Sequence, residues 1–236
     1  MCVSLLQRIP TGCKTIDEIL GGGISIGGVG LIYGEAETGK TTLAMQCAVN
    51  CARKSFKTLF MDSDGSFSAR RLSQVAPEYF EKVVQLIILA KPNNLSEQTL
   101  VIDRLADYVT KDFKLIIIDT VTSLYSAKVA EFPEKTFELN RELSRQIACL
   151  AQFAKTQKVA LLITSQVRTV FNKNYVSVEP VATRVLKFWA DTIIAMKPTE
   201  NPRIIKAVLE KNPKETKPLT CYLEIGEAGI REHSNP

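Results

Sequence analysis

"GEAETGKTT", residues 34–42, decides how the rest of the chain is read. From Gly34 to Thr41 it fits G-x-x-x-x-G-K-T, the pattern of a phosphate-binding loop. GLIY at 30–33 reads as a short strand leading in, and residues 39–53 read as a helix leading out. Such a loop works only between a strand and a helix, so the context agrees with the motif. Gly34 and Gly39 let the backbone curl so that N–H groups along Glu35, Ala36, Glu37, Thr38 and on to Thr42 point inward. The helix N-terminus adds partial positive charge. Lys40 is expected to reach the β- and γ-phosphates, and the Thr41 hydroxyl to bind Mg²⁺. The expected cofactors are therefore ATP and Mg²⁺. Glu35 and Glu37 are unusual neighbours for a triphosphate. Their side chains should face outward, because the inward groups are backbone N–H.

A second stretch supports the first. KLIIIDT, residues 114–120, puts Asp119 at the C-terminal end of an apolar strand, where a carboxylate can hold Mg²⁺ through water. A third stretch, FMDSDGSF at 60–67, follows the strand TLFMD at 58–62, which should lie beside the loop strand. A carboxylate here would orient the water that attacks a γ-phosphate. Asp64-Gly65 is equally ordinary turn chemistry, and the segment alone does not separate the two.

Along the chain, strands alternate with helices. VVQLIILA at 83–90 reads as a strand buried on both faces. Leu100, Arg104, Leu105 and Tyr108 mark a helix over about 95–110, and Leu143, Ile147, Leu150 and Ala154 a long one over about 137–156. VALLITS at 159–165 is a further buried strand. After residue 190, three apolar runs follow with gaps too short for a crossover helix, so antiparallel strands are expected. The expected fold is α/β: one domain over 1–236, a P-loop NTPase with a mostly parallel central sheet flanked by helices and a C-terminal antiparallel extension.

Composition narrows the function classes. No apolar run approaches the ~18 residues of a membrane span. The first twelve residues lack the apolar block of a secretory signal, so a cytoplasmic protein is expected, with no membrane partner. Six cysteines and one histidine, His233, show no zinc-binding spacing. Cys47 and Cys51, one helical turn apart, read as buried apolar groups. The window 184–217 holds eight basic residues against four acids, most of the chain's net charge of +5. That surplus fits a polyanion partner, and fits equally a solvated edge of a sheet.

Taken in order, TGCKTIDEILGGGI (11–24), YGEAETGKTTLAMQ (33–46), FMDSDGSFSARRL (60–72), LIIIDTVTSLY (115–125), RELSRQIACLAQFAK (141–155) and LLITSQV (161–167) resemble RecA-type recombinases of the archaeal and eukaryotic branch. The resemblance covers nearly the whole chain. It implies Lys40 and Thr41 as phosphate and magnesium residues and Asp119 as the carboxylate behind the magnesium. It places Asp64 where these proteins usually carry a catalytic glutamate, one methylene longer. It places Arg71 against the adenine. It makes Gln166 the sensor of the γ-phosphate, passing its state to a DNA-facing loop.

Two such loops are implied, 126–138 and 167–183. The first mixes Lys128 and Lys135 with three glutamates. The second carries Arg168, Phe171, Lys173 and Tyr175, suited to stacking on bases and neutralising backbone. With Arg184 and Lys187 these are the candidate DNA contacts. Single-stranded DNA, bound without sequence preference, is the expected partner, together with the main recombinase of the RadA type. With the loop beginning 33 residues in, the resemblance leads one to expect neither the helical N-terminal domain of the full recombinases nor the linker that supports filaments, and long filaments are not expected. The implied role is an accessory of DNA repair and recombination with slow, Mg-dependent, DNA-dependent ATP hydrolysis. TGCKTIDEILGGGI also fits the KaiC-like ATPases, which keeps a regulatory alternative open. Against it, those proteins usually carry paired glutamates where this chain has DSDG.

Overall fold

The computed structural model describes residues 7–172, 175–212 and 218–233, with side chains described outside 168–180. Strand β1 (Arg8–Ile9) pairs antiparallel with β2 (Ile24–Ser25) around helix α1 (Lys14–Leu20). The main run follows as β3 (Val29–Gly34), α2 (Lys40–Arg53), β4 (Lys57–Asp62), α3 (Ala69–Val75), α4 (Phe80–Val84), β5 (Ile87–Ala90), α5 (Leu95–Asp103), α6 (Leu105–Tyr108), β6 (Phe113–Asp119), α7 (Ser123–Glu131), α8 (Thr136–Gln157) and β7 (Ala160–Ser165). A hairpin of β8 (Val167–Asn172) and β9 (Tyr175–Pro180) leads to α9 (Thr183–Trp189). The chain ends on β10 (Thr192–Pro198), β11 (Ile204–Lys211), β12 (Leu219–Gly226) and β13 (Gly229–Glu232).

Nine of these strands form one sheet in the order β13-β12-β11-β10-β3-β7-β6-β4-β5. From β10 to β5 every neighbouring pair is parallel. From β10 out to β13 every pair is antiparallel. A parallel sheet is buried on both faces. Here α2, α1 and α3 pack on one face with Phe60, Ile117 and Leu162. Helices α5, α8 and α9 pack on the other with Ile116, Leu161 and Ile163. Helix α2 presses onto the sheet through small residues, Ala44, Cys47, Ala48 and Cys51, all fully buried. Helix α8 turns Leu143, Ile147, Leu150 and Ala154 inward, the 3.6-residue spacing visible in the sequence.

The expected α/β fold, with its parallel sheet, flanking helices and C-terminal antiparallel strands, is present. Several local expectations need correction. The run 83–90 is split between α4 and β5, and β5 is the sheet edge, with Ile88 45% and Leu89 39% exposed. An edge strand has a neighbour on one side only, so an apolar run need not be central. The helix over 95–110 breaks at Arg104. Its buried residues are Leu95, Gln98, Ile102 and Leu105, while Leu100 and Tyr108 are half exposed. The break resets the helical register. Strand β10 is antiparallel to β11 but joins β3 in parallel. Strand β4 does not lie beside β3: β7 and β6 stand between them. The segment 126–138 is mostly helical, divided between α7, a 3₁₀ turn at 133–135 and α8, and 167–183 is largely the β8–β9 hairpin.

The pairing of β10 with β3 bears on Gly34. A Cβ there would lie 2.2 Å from the Met196 carbonyl oxygen and 2.8 Å from the Thr38 hydroxyl. The first of these is backbone in a central strand and cannot rotate away. Gly34→Ala is therefore expected to destabilise the nucleotide-free protein by about 1–3 kcal/mol, the usual scale of core overpacking. Urea unfolding without nucleotide measures it. An unchanged midpoint would mean that Gly34 serves the loop alone.

Candidate nucleotide site

Parallel strands end on the same side of a sheet, and ligands of open α/β sheets bind in the crevice at their C-terminal ends. Here β3 delivers the loop 34–39 and β6 delivers Asp119 to one edge, with β7 between them. The register Ile32↔Thr164 sets Thr164 of β7 level with the end of β3. Its hydroxyl donates to Asp119 Oδ1 across the strand. The peptide bond Asp119–Thr120 is cis.

Gly39 takes the left-handed conformation at φ 86°, which turns the chain into α2 without steric cost. No side chain caps α2, and its first turn holds no acid. Its amino end therefore keeps the backbone donors that a phosphate uses. Lys40 is buried at 9% exposure, and its Nζ donates to the Glu35 carbonyl oxygen at 2.6 Å. Burial pushes the Lys40 pKa down, against the opposing pull of Asp119, Asp64 and Glu35. A buried ammonium beside bare helix donors fits an anionic ligand. The side chains of Glu35 and Glu37 are exposed, as their position in the motif predicts.

The Thr41 hydroxyl lies 3.3 Å from the Ser66 hydroxyl, and the Ser66 hydroxyl donates to Asp119 Oδ2 at 3.3 Å. Although β4 is two strands removed from β3, the turn after it folds back over the site through Ser66. The two aspartates of that turn differ. Asp62 is buried and accepts from the N–H groups of Ser66 (2.9 Å) and Phe67 (3.3 Å). It also faces Lys91 at 3.5 Å. Asp62 thus holds the turn. Asp64 is exposed, accepts from Ser66 N–H at 3.1 Å, and its charge is felt at both Lys40 and Asp119. Of the two, Asp64 is the carboxylate free to meet a ligand.

A cavity of about 380 Å³ opens beside the loop, lined by Glu37, Gly39, Lys40, Thr41, Thr42, Arg71, Ile225 and Gly226. The Ser68 hydroxyl accepts from Arg71 N–H and starts α3, which fixes where Arg71 leaves the backbone. The Arg71 guanidinium donates to the carbonyls of Gly226 (2.9 Å) and Glu227 (2.8 Å). It is thus fastened to the β12–β13 turn as one wall of the cavity. Ile225 and Gly226 are site residues that the sequence reading missed, as are Ser66 and Thr164. Nothing in "LEIGEAGI" marks a ligand wall, because its role comes from strand order.

Gln166 is exposed, and its Nε2 donates to the Ser123 hydroxyl at 3.2 Å. Ser123 in turn meets the Thr120 hydroxyl at 2.5 Å, one residue beyond Asp119. Gln166 therefore links the end of β6 to the start of the β8–β9 hairpin. Among the candidate DNA contacts, Arg168, Phe171 and Tyr175 lie on that hairpin, where side chains are outside the description, and Lys173 lies outside the described residues. Arg184 is exposed on α9. Lys187 pairs with Glu210 at 2.8 Å and sits over the Tyr33 ring. Lys128, in the first segment, pairs with Glu131 at 2.9 Å.

Among the described residues, no cluster of His, Cys, Asp or Glu is placed to hold a metal, and no helix is long and apolar enough to cross a membrane. Cys47 and Cys51 are buried, and burial raises both thiol pKa values, that of Cys51 to about 11.

Comparison with known proteins sets this site in a family. The Rad51 family matches residues 3–233. Proteins of Methanococcoides burtonii and Pyrococcus furiosus, each named DNA repair and recombination protein RadB, are 31% and 32% identical to this chain. Both alignments cover 97% of this chain, and they cover 99% and 97% of those proteins. A solved structure described as the RadB recombinase superposes with a TM-score of 0.81 at 31% identity, covering 96% of this chain and 100% of that one. The chain therefore belongs to the Rad51 family, and RadB proteins are the members it resembles over nearly its full length.

Burial raises the Asp119 pKa, and the charge of Asp64 adds to the effect, while hydrogen bonds from Thr164, Thr41 and Ser66 oppose it. A carboxyl whose pKa is raised on folding favours its neutral form. The stability it contributes is present at low pH and is lost as pH rises through the folded-state value. Asp119→Asn keeps the shape and removes the charge. The variant is expected to unfold at higher urea than the parent at neutral pH without nucleotide, with the gap closing as pH falls. Its magnesium-dependent nucleotide affinity should drop. A variant less stable than the parent at neutral pH would contradict the electrostatic account.

Proposed function

We propose that this chain is an accessory protein of DNA repair and homologous recombination that binds ATP with Mg²⁺ and uses it mainly as a conformational ligand. The observation that carries the reading is the convergence of Lys40, Thr41 and Asp119 on one crevice at the end of β3 and β6. Lys40, with the backbone donors at the start of α2, neutralises and orients the triphosphate. Thr41 and Asp119 are the residues that would hold a magnesium ion, which would supply charge to offset the phosphates. Bound Mg²⁺ would supply charge that the buried carboxylate otherwise lacks. Arg71 and Ile225 form the wall suited to the base, the guanidinium plane offering cation–π contact.

Hydrolysis is proposed to be slow. Asp64 is the one carboxylate of the turn free to orient water, and it is a methylene shorter than the glutamate of the related recombinases. Misplacing a catalytic group by about 1 Å costs on the order of a hundredfold in rate. ATP would then be read by Gln166 and relayed through Ser123 and Thr120 to the β8–β9 hairpin. Single-stranded DNA, held without sequence preference, is the proposed ligand of that hairpin and of Arg184. Lys187, already paired with Glu210, would add less than the sequence alone implies. The main recombinase of the RadA type is the proposed protein partner, in keeping with relatives named for repair and recombination. The Rad51 match over residues 3–233 supports this reading over the KaiC-like alternative.

Two measurements test the reading. Lys40→Ala removes a charge-assisted hydrogen bond to phosphate, worth on the order of 1.5–3 kcal/mol, so affinity for ATP–Mg²⁺ should fall about ten- to a hundredfold. Undiminished binding by calorimetry would put the site elsewhere. In single-turnover hydrolysis with DNA present, the parent should run well below the common enzyme range of ~1–10³ per second. Asp64→Glu should speed it. A parent already in that range, or a glutamate variant slower than the parent, would sink the idea of ATP as a held ligand.

A further inference from the structure

Helices α8 and α9 meet along a groove of about 500 Å³ whose walls include Phe137, Arg141, Ser144, Arg145 and Trp189. The α8 members recur at steps that keep them on one helix face. That face is not an ordinary solvated one. Phe137 and Phe188 are each 74% exposed and Trp189 36%. The rings of Phe188 and Trp189 meet edge to face at 5.3 Å. Aromatic residues and arginine together are the composition of protein interface centres rather than of free surface. Arg141 is exposed and makes no ion pair among the described residues. Asp103 and Glu142 pair with Arg145, so among the described residues Arg141 is the one lining cation left without an acid, too little positive charge to follow a nucleic-acid backbone. What it offers is an apolar seat and one uncommitted guanidinium.

Arg145 ties this groove to the interior. Its guanidinium donates to Asp103 at 2.8 and 3.3 Å and to Glu142 at 2.9 Å from two nitrogens. Glu142 also accepts from Thr99 (2.9 Å) and Gln146 (3.2 Å). Gln146 accepts from Gln98 at 2.8 Å, and Gln98 accepts from the Ser63 hydroxyl at 3.0 Å. Gln98 also donates to the Val121 carbonyl at 3.3 Å. Both glutamines are fully buried. Ser63 stands between Asp62 and Asp64, and its N–H donates to the Asp119 carbonyl at 2.8 Å. A satisfied polar chain thus runs from the groove wall to the turn that carries Asp64. Buried networks of this kind tolerate no half-made state: a bond lost at one end leaves an unpaired group that must re-pair along the chain.

We propose that the α8–α9 groove docks a segment of a partner protein, an apolar side chain seated between Phe137 and Trp189 and a carboxylate on Arg141, and that Arg145 transmits its occupancy to the nucleotide site through Glu142, Gln146, Gln98 and Ser63. The transmission half rests on the nucleotide-site reading above. The docking half does not. A second acid of the segment, reaching Arg145 beside the one on Arg141, would compete with Glu142 for the same donors, and the chain behind Glu142 would rearrange. Linkage makes the effect reciprocal: nucleotide must alter affinity for the segment by the factor by which the segment alters affinity for nucleotide.

Trp189 is the only tryptophan in the chain, so intrinsic fluorescence reports on the groove directly. The probe is the capped tetrapeptide Asp-Leu-Phe-Asp, with Asn-Leu-Phe-Asn as its neutral counterpart. The acidic peptide should shift Trp189 emission saturably and bind at least tenfold tighter than the neutral one. Arg141→Ala should erase that preference, and Phe137→Ala should weaken both. Equal binding of the two peptides, or no emission change, overturns the docking. An oligothymidylate giving the same Arg141-dependent shift assigns the groove to DNA and overturns it as well. For the coupling, saturating peptide should change ATP–Mg²⁺ affinity at least threefold by calorimetry in the parent. The change should vanish in Arg145→Lys, which keeps the charge and loses the fork of donors. Peptide bound with nucleotide affinity unmoved overturns the coupling. Loss of nucleotide binding in the parent itself would refute the site reading and the coupling while leaving the docking result standing.

Discussion

The parallel pairing of β3, β7 and β6 is the constraint on which the site depends. It brings the phosphate loop and Asp119 to one edge although some 80 positions separate them in sequence. Strand β7 does more than space them. Its Thr164 hydroxyl donates to the buried Asp119 carboxylate, so the strand that sets the distance also supplies part of the solvation that burial removes. The hydrophobic layers on the two faces, α2 on one and α8 on the other, hold these three strands in place. Any change that lets β7 slip would move the two halves of the site together with its core.

The electrostatics of the crevice complement its geometry. Burial disfavours the charge on both Lys40 and Asp119, pushing their pKa values toward each other. Neither is relieved by a close partner of opposite sign: Lys40 Nζ turns to a backbone carbonyl, and Asp119 to hydroxyls. A magnesium–phosphate ligand carries both signs at once. It would satisfy the ammonium and the carboxylate in one event.

The motifs that stay within one element were legible in the sequence. The strand, loop and helix around Gly34–Thr41 are where the pattern puts them, and Asp119 ends its strand. The inward face of α8 follows from spacing alone. What was not legible lay between elements. Strand order placed β4 away from β3, and only a fold-back through Ser66 returns its turn to the site. Ile225 and Gly226 line the cavity because β12 and β13 lie on the far side of β10, a fact of topology with no local signal. The apolar run 83–90 looked central because composition does not distinguish an edge strand from a buried one. Gln98 occupies a helix position that the apolar pattern assigned to neighbours, since a buried polar network hides from any hydrophobic count.

Two polar routes leave the segment around Asp119. One runs through Thr120, Ser123 and Gln166 to the β8–β9 hairpin. It is short, and its last member is exposed. The other runs from the Asp119 carbonyl through Ser63 and the two buried glutamines to Arg145. It is longer, and its middle, Ser63, Gln98 and Gln146, is buried. The difference in burial bears on what each can transmit. An exposed glutamine can exchange its partner for water at little cost. A buried glutamine cannot, because an unpaired amide in the core costs about 1–3 kcal/mol. The first route suits a graded response. The second suits a switch between two fully paired states. A protein that holds ATP rather than burning it needs the second kind if something other than hydrolysis is to decide when the ligand is released.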